Sequence, residues 1–332
     1  MIISRTPFRI SFFGGGTDYP AWFRQNGGVV LSTTIDKYCY ISCRYLPPFF
    51  EHKYRVVYSK IENVREIAQI EHPAARAVLE WFKWDQGLEI HHDGDLPARS
   101  GLGSSSSFTV GLVNAIMALN GRYISKEELA NNAIHIEQEI LRENVGSQDQ
   151  VSVAHGGFNR IEFKRDGAYD VTPVVLSKPK LETLESSLML FFSGISRFSS
   201  EIAGAQIDNI KNRETELRKM EKMVGEALSV LDGDVSGMDD FGRMLDQAWQ
   251  YKKSLSDKIS NPTIDQIYDE AIEAGALGGK ILGAGGGGFI LFYVKPENQR
   301  KVRERLKGLI HVPFRFENSG SRIVLYQPNG LN

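Results

Sequence analysis

The stretch Asp95-Leu-Pro-Ala-Arg-Ser-Gly-Leu-Gly-Ser-Ser-Ser-Ser107 carries the strongest chemical pattern in this chain. Gly101 and Gly103 flank a single leucine, Leu102, and four hydroxyl side chains follow without a break. Beyond them Phe108, Val110, Leu112, Val113, Ile116, Met117 and Leu119 recur at three- and four-residue spacing, which predicts an amphipathic helix. The polar cluster then sits on a helix N-terminus, where unpaired backbone N–H groups and a partial positive charge attract anions. Glycine at 101 and 103 lets a phosphate come close to the backbone, and Ser104 to Ser107 add donors. This reads as a phosphate cradle. A serine-rich N-cap on an ordinary helix is the alternative, although capping needs fewer glycines and serines than stand here.

The chain has 332 residues, enough for two domains of ordinary size. Hydrophobic residues make up 42% and charged residues 24%, a balance that supports a buried core. The 39 basic and 41 acidic side chains leave a net charge of −2, which argues against general nucleic-acid binding or a polybasic membrane surface. Cys39 and Cys43 lie four apart in an alternating segment, on one face of a strand. A disulfide along one strand does not suit the geometry and two thiols do not make a metal site, so both read as buried small hydrophobes. Met1-Ile-Ile-Ser-Arg-Thr-Pro7 lacks the apolar core of a signal peptide, and no run approaches the ~18 apolar residues of a membrane helix. A cytoplasmic protein is expected.

Along the chain, Ile2 to Phe13 reads as a strand with a break near Pro7, interrupted by Gly14-Gly-Gly16. Gly27 to Arg44 and Tyr54 to Ser59 are strand-like, Ala74 to Trp84 is helical with Pro73 in its first turn, and Gly87 to His92 leads into the cradle. Ser125 with Glu128 makes a capping box for a helix reaching Ile140. The texture changes around Ser177 to Lys180. After a strand at Ser187 to Ser193 come charged helical stretches from Ser199 to Leu231 and Asp239 to Ser256. A third helix opens at Asn261-Pro262. Gly275 to Gly288 is a second glycine-rich stretch; a strand at Phe289 to Val294, a helix and two short strands complete the chain. A boundary near residue 175 gives halves 1–175 and 176–332 sharing a cleft.

Gly283-Ala-Gly-Gly-Gly-Gly288 fits the dinucleotide fingerprint, but a strand rather than a helix follows it, so that reading fails on context. The alternatives for this stretch are a flexible hairpin turn and backbone packed closely under a ligand or against the cradle. A Walker loop is absent from the sequence. Phosphoryl transfer needs a cradle, a metal ion on oxygen ligands and a group that positions the acceptor. Glu137 belongs to the apolar stripe of its helix, where a carboxylate is costly without a cation or donor, whereas Glu139 and Glu143 lie off it. Asp149 follows a glycine turn and could equally be a cap for the next helix. Arg9 is a charge in an apolar strand, and Asp18 could pair with it or bind sugar hydroxyls.

Three stretches together resemble the GHMP kinases: Thr6-Pro-Phe-Arg-Ile-Ser-Phe-Phe-Gly-Gly-Gly-Thr-Asp-Tyr19, Leu96-Pro-Ala-Arg-Ser-Gly-Leu-Gly-Ser-Ser-Ser-Ser107 and Lys280-Ile-Leu-Gly-Ala-Gly-Gly-Gly-Gly288. The resemblance implies an α+β, two-domain fold, with an N-terminal half like ribosomal protein S5 domain 2 and a C-terminal ferredoxin-like α/β half. ATP and Mg²⁺ would lie between them. It implies that Gly101, Leu102, Gly103, Ser104, Ser105, Ser106 and Ser107 hold the ATP phosphates, that Ser105 and Glu137 hold Mg²⁺, and that Asp149 orients the acceptor proton. Arg9 would steady the transferring charge. Gly15, Gly16, Thr17, Asp18, Gly194, Arg197 and Gly286 would meet the acceptor, with Arg197 on a distal phosphate.

Galactokinases of the family carry Gly-Glu-His-Thr-Asp-Tyr where this chain has Gly14-Gly-Gly-Thr-Asp-Tyr19, so the space of two side chains is expected to be empty. The triple glycine, Gly27-Gly-Val-Val-Leu31, Thr34-Ile-Asp-Lys37, Gly146-Ser-Gln-Asp-Gln150, Gly156-Gly-Phe-Asn159 and Phe192-Ser-Gly-Ile-Ser-Arg197 resemble the D-glycero-D-manno-heptose 7-phosphate kinases of the family. Those enzymes phosphorylate an anomeric hydroxyl and feed nucleotide-heptose and surface-glycan synthesis. The implied partners are a small-molecule sugar phosphate and ATP, with a homodimer left open. A kinase of another sugar, such as L-fucose or galactose, and a non-catalytic sensor on the same fold are the alternatives. Arg99 stands where close relatives have Pro-Pro-Gly-Ser; it would either contact a phosphate or tether the loop.

Overall fold

The computed structural model describes residues 1–98, 100–195 and 199–328; Arg99 and Arg197 lie outside these. Two long antiparallel strands, β1 (Ile2–Phe13) and β2 (Gly28–Tyr45), form the spine of the larger sheet, with α1 (Pro20–Asn26) between them. The ladder slips between Pro7 and Phe8, because proline has no N–H to offer a partner strand. Next come β3 (Tyr54–Val57), β4 (Ile61–Val64), α2 (Pro73–Trp81) and β5 (Leu88–Gly94), and then α3 (Ser104–Leu119), α4 (Lys126–His135) and α5 (Gln148–His155). β6 (Phe158–Phe163) and β7 (Tyr169–Pro173) close this half. The two cysteines are buried and free, as their shared strand face requires.

The helix after the cradle is not amphipathic in its setting. α3 is buried almost all round: β1 and β2 lie against one side and α2, α4 and α5 against the others. Its apolar run therefore exceeds a single stripe because it has no solvent face to serve. Ser107 Oγ donates to the Pro7 carbonyl at 3.0 Å, at the point where the β1 ladder slips. That bond pins the start of α3 to the spine.

The second half contributes α6 (Lys178–Ser187), β8 (Leu188–Phe192), α7 (Ser199–Asn209), α8 (Glu214–Asp232), α9 (Asp239–Ser254) and α10 (Pro262–Glu273). Then follow β9 (Ala276–Ile281), β10 (Phe289–Val294), α11 (Gln299–Arg305) and β11 (Ile310–Val312). The smaller sheet has the order β11-β8-β10-β9, all antiparallel, with α9 and α10 packed on β9. The Asn261 side chain accepts from Ile264 N–H and Pro262 fills the first turn of α10, as the start signal predicts. Where the sequence was read as one glycine-rich stretch, a strand occupies its first part. β9 contains Gly278 and Gly279 because a Cβ at 278 would stand 2.1 Å from Gly242 O of α9, and one at 279 would stand 2.4 Å from Leu291 O.

The boundary near 175 separates the sheets only as far as β11. β12 (Phe316–Glu317) pairs with β2 and β13 (Arg322–Tyr326) pairs with β1, so the last strands return to the larger sheet. The halves also meet through aromatic packing, with Phe12 and Phe13 of β1 set edge-on to Phe241 of α9 at centroid distances of 5.3 and 5.1 Å. Among the described residues no helix is long and apolar enough to cross a membrane.

Candidate active site

Arg9 is placed by β1 with its guanidinium buried under the cradle. Nε and Nη2 donate to the two oxygens of Asp149 at 2.6 and 2.7 Å, a bidentate pair, and Nη1 donates to Gly101 O at 2.7 Å. The Arg9 N–H also donates to Leu102 O at 3.0 Å. The side chain of Asp149 is 24% exposed against 4% for Arg9, so the carboxylate faces the cleft and the guanidinium backs it. Asp149 lies in the first turn of α5 and makes no side-chain cap there. Arg9 thus pairs with Asp149, 140 residues away, and not with Asp18.

The cradle sits directly over this pair. Gly103 is the N-cap of α3 in the left-handed region (φ 76°), and a Cβ there would come 3.2 Å from Arg9 Cγ and 3.4 Å from Asp149 Oδ2. Ser104 and Ser105 open the helix at the rim; Ser105 is exposed and Leu102 is buried beneath the turn. Ser106, not Ser105, is the hydroxyl joined to Glu137: its Oγ donates to Oε2 at 2.9 Å. Sequence position alone did not distinguish the two serines; the helix phase does, since Ser106 turns inward and Ser105 outward.

Glu137 is fully buried, as its place on the apolar stripe predicts. α4 passes at Ile136–Ile140 into a π-turn, a local widening that is frequent at functional sites. Gln150 of α5 also donates to Oε2, while Oε1 is buried without a partner. Burial raises the Glu137 carboxyl to about 7; the neighbouring Glu143 adds to this, and the nearby Thr109 hydroxyl and the hydrogen bonds from Ser106 and Gln150 oppose it. An orphaned, desolvated carboxylate oxygen beside a helix N-terminus suits a divalent cation, so the residues present fit Mg²⁺. Among the described residues there is no cluster of three or more carboxylate, imidazole or thiolate ligands, so such an ion would take most of its ligands from phosphate and water. Glu139 is exposed, but Glu143 is half-buried, shielded more than its off-stripe position suggests.

The triple-glycine segment behaves as a brace. Asp18 is 2% exposed, and its two oxygens accept from Gly16 N–H at 2.9 Å and Gln148 N–H at 3.4 Å, tying this turn to the start of α5. A Cβ at Gly146 would stand 1.8 Å from Asp18 Oδ2. Burial raises the Asp18 carboxyl, with the Asp149 charge adding to it and backbone donors opposing it. Thr17 Oγ1 is spent on Gly14 O and Val29 O. The space expected to be empty at Gly16 is taken by Leu217 of α8, 3.1 Å from where a Cβ would sit, and by Leu255 at 3.8 Å. At Gly15, partly exposed, only Ser11 Oγ and Gln148 Nε2 come within contact, at 3.4 and 3.6 Å.

The second glycine stretch is both a hairpin and a close-packed support. It joins antiparallel β9 and β10, and a Cβ on Gly101 would lie 2.4 Å from Leu282 O, one on Gly288 2.2 Å from Ser100 O. Gly286 is buried with its N–H on Ile259 O at 2.8 Å, which leaves it as scaffold and not as acceptor surface. Gly194 is exposed, with open space around its Cβ position. Sequence reading missed Lys252 and Lys280. Both are buried, Lys252 donating to Ile281 O and Gly283 O, Lys280 to Phe12 O at 2.7 Å.

Residues 67–157 match the GHMP kinases N terminal domain and residues 233–310 the GHMP kinases C terminal domain, together just over half of the chain. The chain belongs to the GHMP kinase family. As a GHMP kinase it is an ATP-dependent phosphotransferase. It is 29% identical over 320 residues to D-glycero-alpha-D-manno-heptose 7-phosphate kinase of Campylobacter jejuni, covering 92% of this chain and 93% of that one. It is 24% identical over 336 residues to the bifunctional fucokinase/GDP-fucose pyrophosphorylase of Arabidopsis thaliana, covering 91% of this chain but only 30% of that longer one. Among solved structures, a D-glycero-D-manno-heptose 1-phosphate kinase from Bacteroides thetaiotaomicron superposes with a TM-score of 0.80 at 24% identity, over 98% of this chain and 100% of that one. That likeness is one of fold, and it agrees with the two-part α+β architecture expected from the sequence.

Proposed function

We propose that this GHMP kinase transfers the γ-phosphoryl group of ATP to the anomeric hydroxyl of D-glycero-D-manno-heptose 7-phosphate, giving the 1,7-bisphosphate for nucleotide-heptose and surface-glycan synthesis. The observation that carries the chemistry is the bidentate Arg9–Asp149 pair beneath Gly101–Gly103. Phosphoryl transfer asks little covalent chemistry of the protein; positioning and charge do the catalysis. Backbone N–H groups at the start of α3 and the serine hydroxyls bind the ATP phosphates. Asp149, oriented by Arg9 from behind, takes the hydrogen bond of the acceptor hydroxyl and receives its proton as the O–P bond forms. Arg9 offsets the charge that gathers there. Glu137, with Ser106 and Ser105 at hand, would hold Mg²⁺, which would supply Lewis-acid shielding of the transferring group.

The choice of heptose 7-phosphate rests on the Campylobacter relative and on the sequence motifs shared with that subgroup. Arg197 is proposed for the distal phosphate on sequence grounds. The fucokinase likeness supports L-fucose as the second reading. One panel separates them: ATP consumption with heptose 7-phosphate, unphosphorylated heptose, L-fucose, galactose and mevalonate. Heptose 7-phosphate should lead in kcat/KM by at least about 100-fold, of the size expected when a buried polar site is left unpaired by the wrong substrate. A lead for an unphosphorylated sugar would replace the reading, and turnover with none would turn it towards a sensor.

A further inference from the structure

The buried lysine on α9 has no place in the chemistry described so far. Phe241, Leu245, Ala248 and Trp249 are buried on one face of α9, and Lys252 continues that face one turn further. An ammonium group on a buried face needs a reason, because desolvation makes it costly. Burial pushes Lys252 well below the ordinary lysine range, and the charges of Lys280 and Arg9 push it the same way. Among the described residues no carboxylate lies within ion-pair distance of it. Its Nζ instead donates to two backbone carbonyls, Ile281 O at 3.1 Å and Gly283 O, on either side of Leu282. Charged or neutral, an amine keeps the two hydrogens these bonds use.

Leu282 is the residue that touches the cradle. Its carbonyl occupies the space where a Gly101 side chain would be, and the Cβ position of Gly283 falls 2.6 Å from Gly101 Cα. Gly101 O in turn receives Nη1 of Arg9, whose other nitrogens hold Asp149. Contacts thus run without a gap from Lys252 through Leu282 and Gly101 to Arg9 and Asp149. The rest of the second loop has anchors of its own: Gln206 Nε2 on Ala284 O at 2.6 Å, Gly286 N on Ile259 O at 2.8 Å and Gly288 N on Ile195 O at 2.8 Å. Ile281 pairs with Ile290 and the Leu282 N–H donates to Phe289 O at 2.9 Å, so beyond the end of that ladder it is Lys252 that holds the chain, at the Gly283 carbonyl.

We propose that Lys252 is a positioning residue that fixes the height of the phosphate cradle over the Arg9–Asp149 pair by clamping the Ile281 and Gly283 carbonyls. The inference rests on the reading of Gly101–Ser107 as the nucleotide phosphate site. It predicts that the lysine acts on nucleotide binding and turnover and not on sugar recognition or overall stability. Replacing the lysine by an apolar chain of like length removes the cost of burying the amine and takes a donor from two carbonyls, opposing effects that leave a small net change in stability. A cradle displaced by an ångström, however, costs about 100-fold in rate.

The test compares Lys252→Met, Lys252→Gln and Lys252→Arg with the unaltered enzyme. The dissociation constant of a non-hydrolysable ATP analogue with Mg²⁺ is measured by calorimetry without any sugar, alongside kcat, both KM values and the thermal midpoint. Lys252→Met should weaken analogue binding about tenfold and cut kcat about 100-fold, with the sugar KM within about twofold and the thermal midpoint little changed. Lys252→Arg, which keeps donors for both carbonyls, should recover most of both losses, and Lys252→Gln, with one donor group, should fall between. Analogue affinity and kcat that stay at the unaltered value in Lys252→Met overturn the proposal. So does a fall in thermal midpoint with all kinetic constants dropping together, which would mark the lysine as a fold brace. Should Lys252→Met fail to fold, Lys252→Gln decides by the same split. Because the analogue titration needs no acceptor, an error in the sugar assignment leaves this test standing.

Discussion

The two stretches 101–107 and 283–288 both carry glycines that the backbone needs, and they have opposite duties. The first opens a helix, so the backbone N–H groups of that first turn lie at the helix N-terminus, beside an exposed rim at Ser105. The second joins two strands, and its polar backbone is spent inside the protein, on Ile259, Ile195, Gln206 and Lys252. On the proposed function glycine serves the first by admitting a ligand, and it serves the second by letting the first come close. Glycine alone does not tell such loops apart; the serines of the first and the element that follows each one do.

The comparison is tested most severely under the first loop. Asp149→Asn should reduce kcat by about 10²–10⁴-fold while analogue binding stays within about threefold, because the proposed role of the side chain is to hold the acceptor and not the nucleotide. Unchanged turnover removes Asp149 from the chemistry. Next come matched alanines. Gly103→Ala places a methyl against Arg9 and Asp149 and should cut kcat/KM about 100-fold. Gly285→Ala, forced 2.8 Å from Ile259 O at φ 113°, should cost about 2 kcal/mol of stability with a much smaller effect on kcat. Stability curves in urea and steady-state kinetics on both variants read the two effects separately, and equal losses in both would erase the distinction between the loops.

A third test concerns Lys280, at the foot of the second loop. Burial, with repulsion from Arg9, lowers its pKa to about 7 against the partial opposition of Asp18. The unfolded chain then binds more protons than the folded one between about 7 and the ordinary 10.5, so stability rises with pH across that window. The slope from this group should be on the order of 1 kcal/mol per pH unit, and Lys280→Met should flatten it in urea titrations at pH 7, 8 and 9. The smallest effect is expected at Gly194, exposed at φ 75° with open space around it. Gly194→Ala should cost about 1 kcal/mol of backbone strain and leave both KM values within about twofold. A large rise in the sugar KM alone would return this loop to the acceptor site.

Much of this was legible from sequence because the signals are local. The glycine-serine run, the Asn261-Pro262 start and the two long strands β1 and β2, with the irregularity at Pro7, depend on residues within a few positions of one another. Glu137 was legible because periodicity marks a buried face and a carboxylate on it is conspicuous. β9 was hidden because glycine is rare in strands; Gly278 and Gly279 are there to let α9 and β10 approach, a fact about distant neighbours. α6, led by Lys178-Pro-Lys180, and β4, a four-residue edge strand, were too short or too polar to stand out. Ser106 against Ser105 turned on helix phase, and the bond of Arg9 to Asp149 rather than to Asp18 turned on packing across 140 residues.

The return of β12 and β13 to the larger sheet bears on how the protein is made. β13 supplies the outer neighbour of Ile2–Arg5, Thr6 Oγ1 and Asn114 Nδ2 both reach Ser321 Oγ, and Thr34 Oγ1 bonds Glu317 O. At a synthesis rate of about 5–20 residues per second, the first strand leaves the ribosome on the order of tens of seconds before its partner. For that interval the edge of β1 is an open template for pairing with another nascent chain. The side chains around Ser321 can join only after a residue 315 positions beyond Thr6 has been made, so the strand that carries Arg9 gains these bonds late.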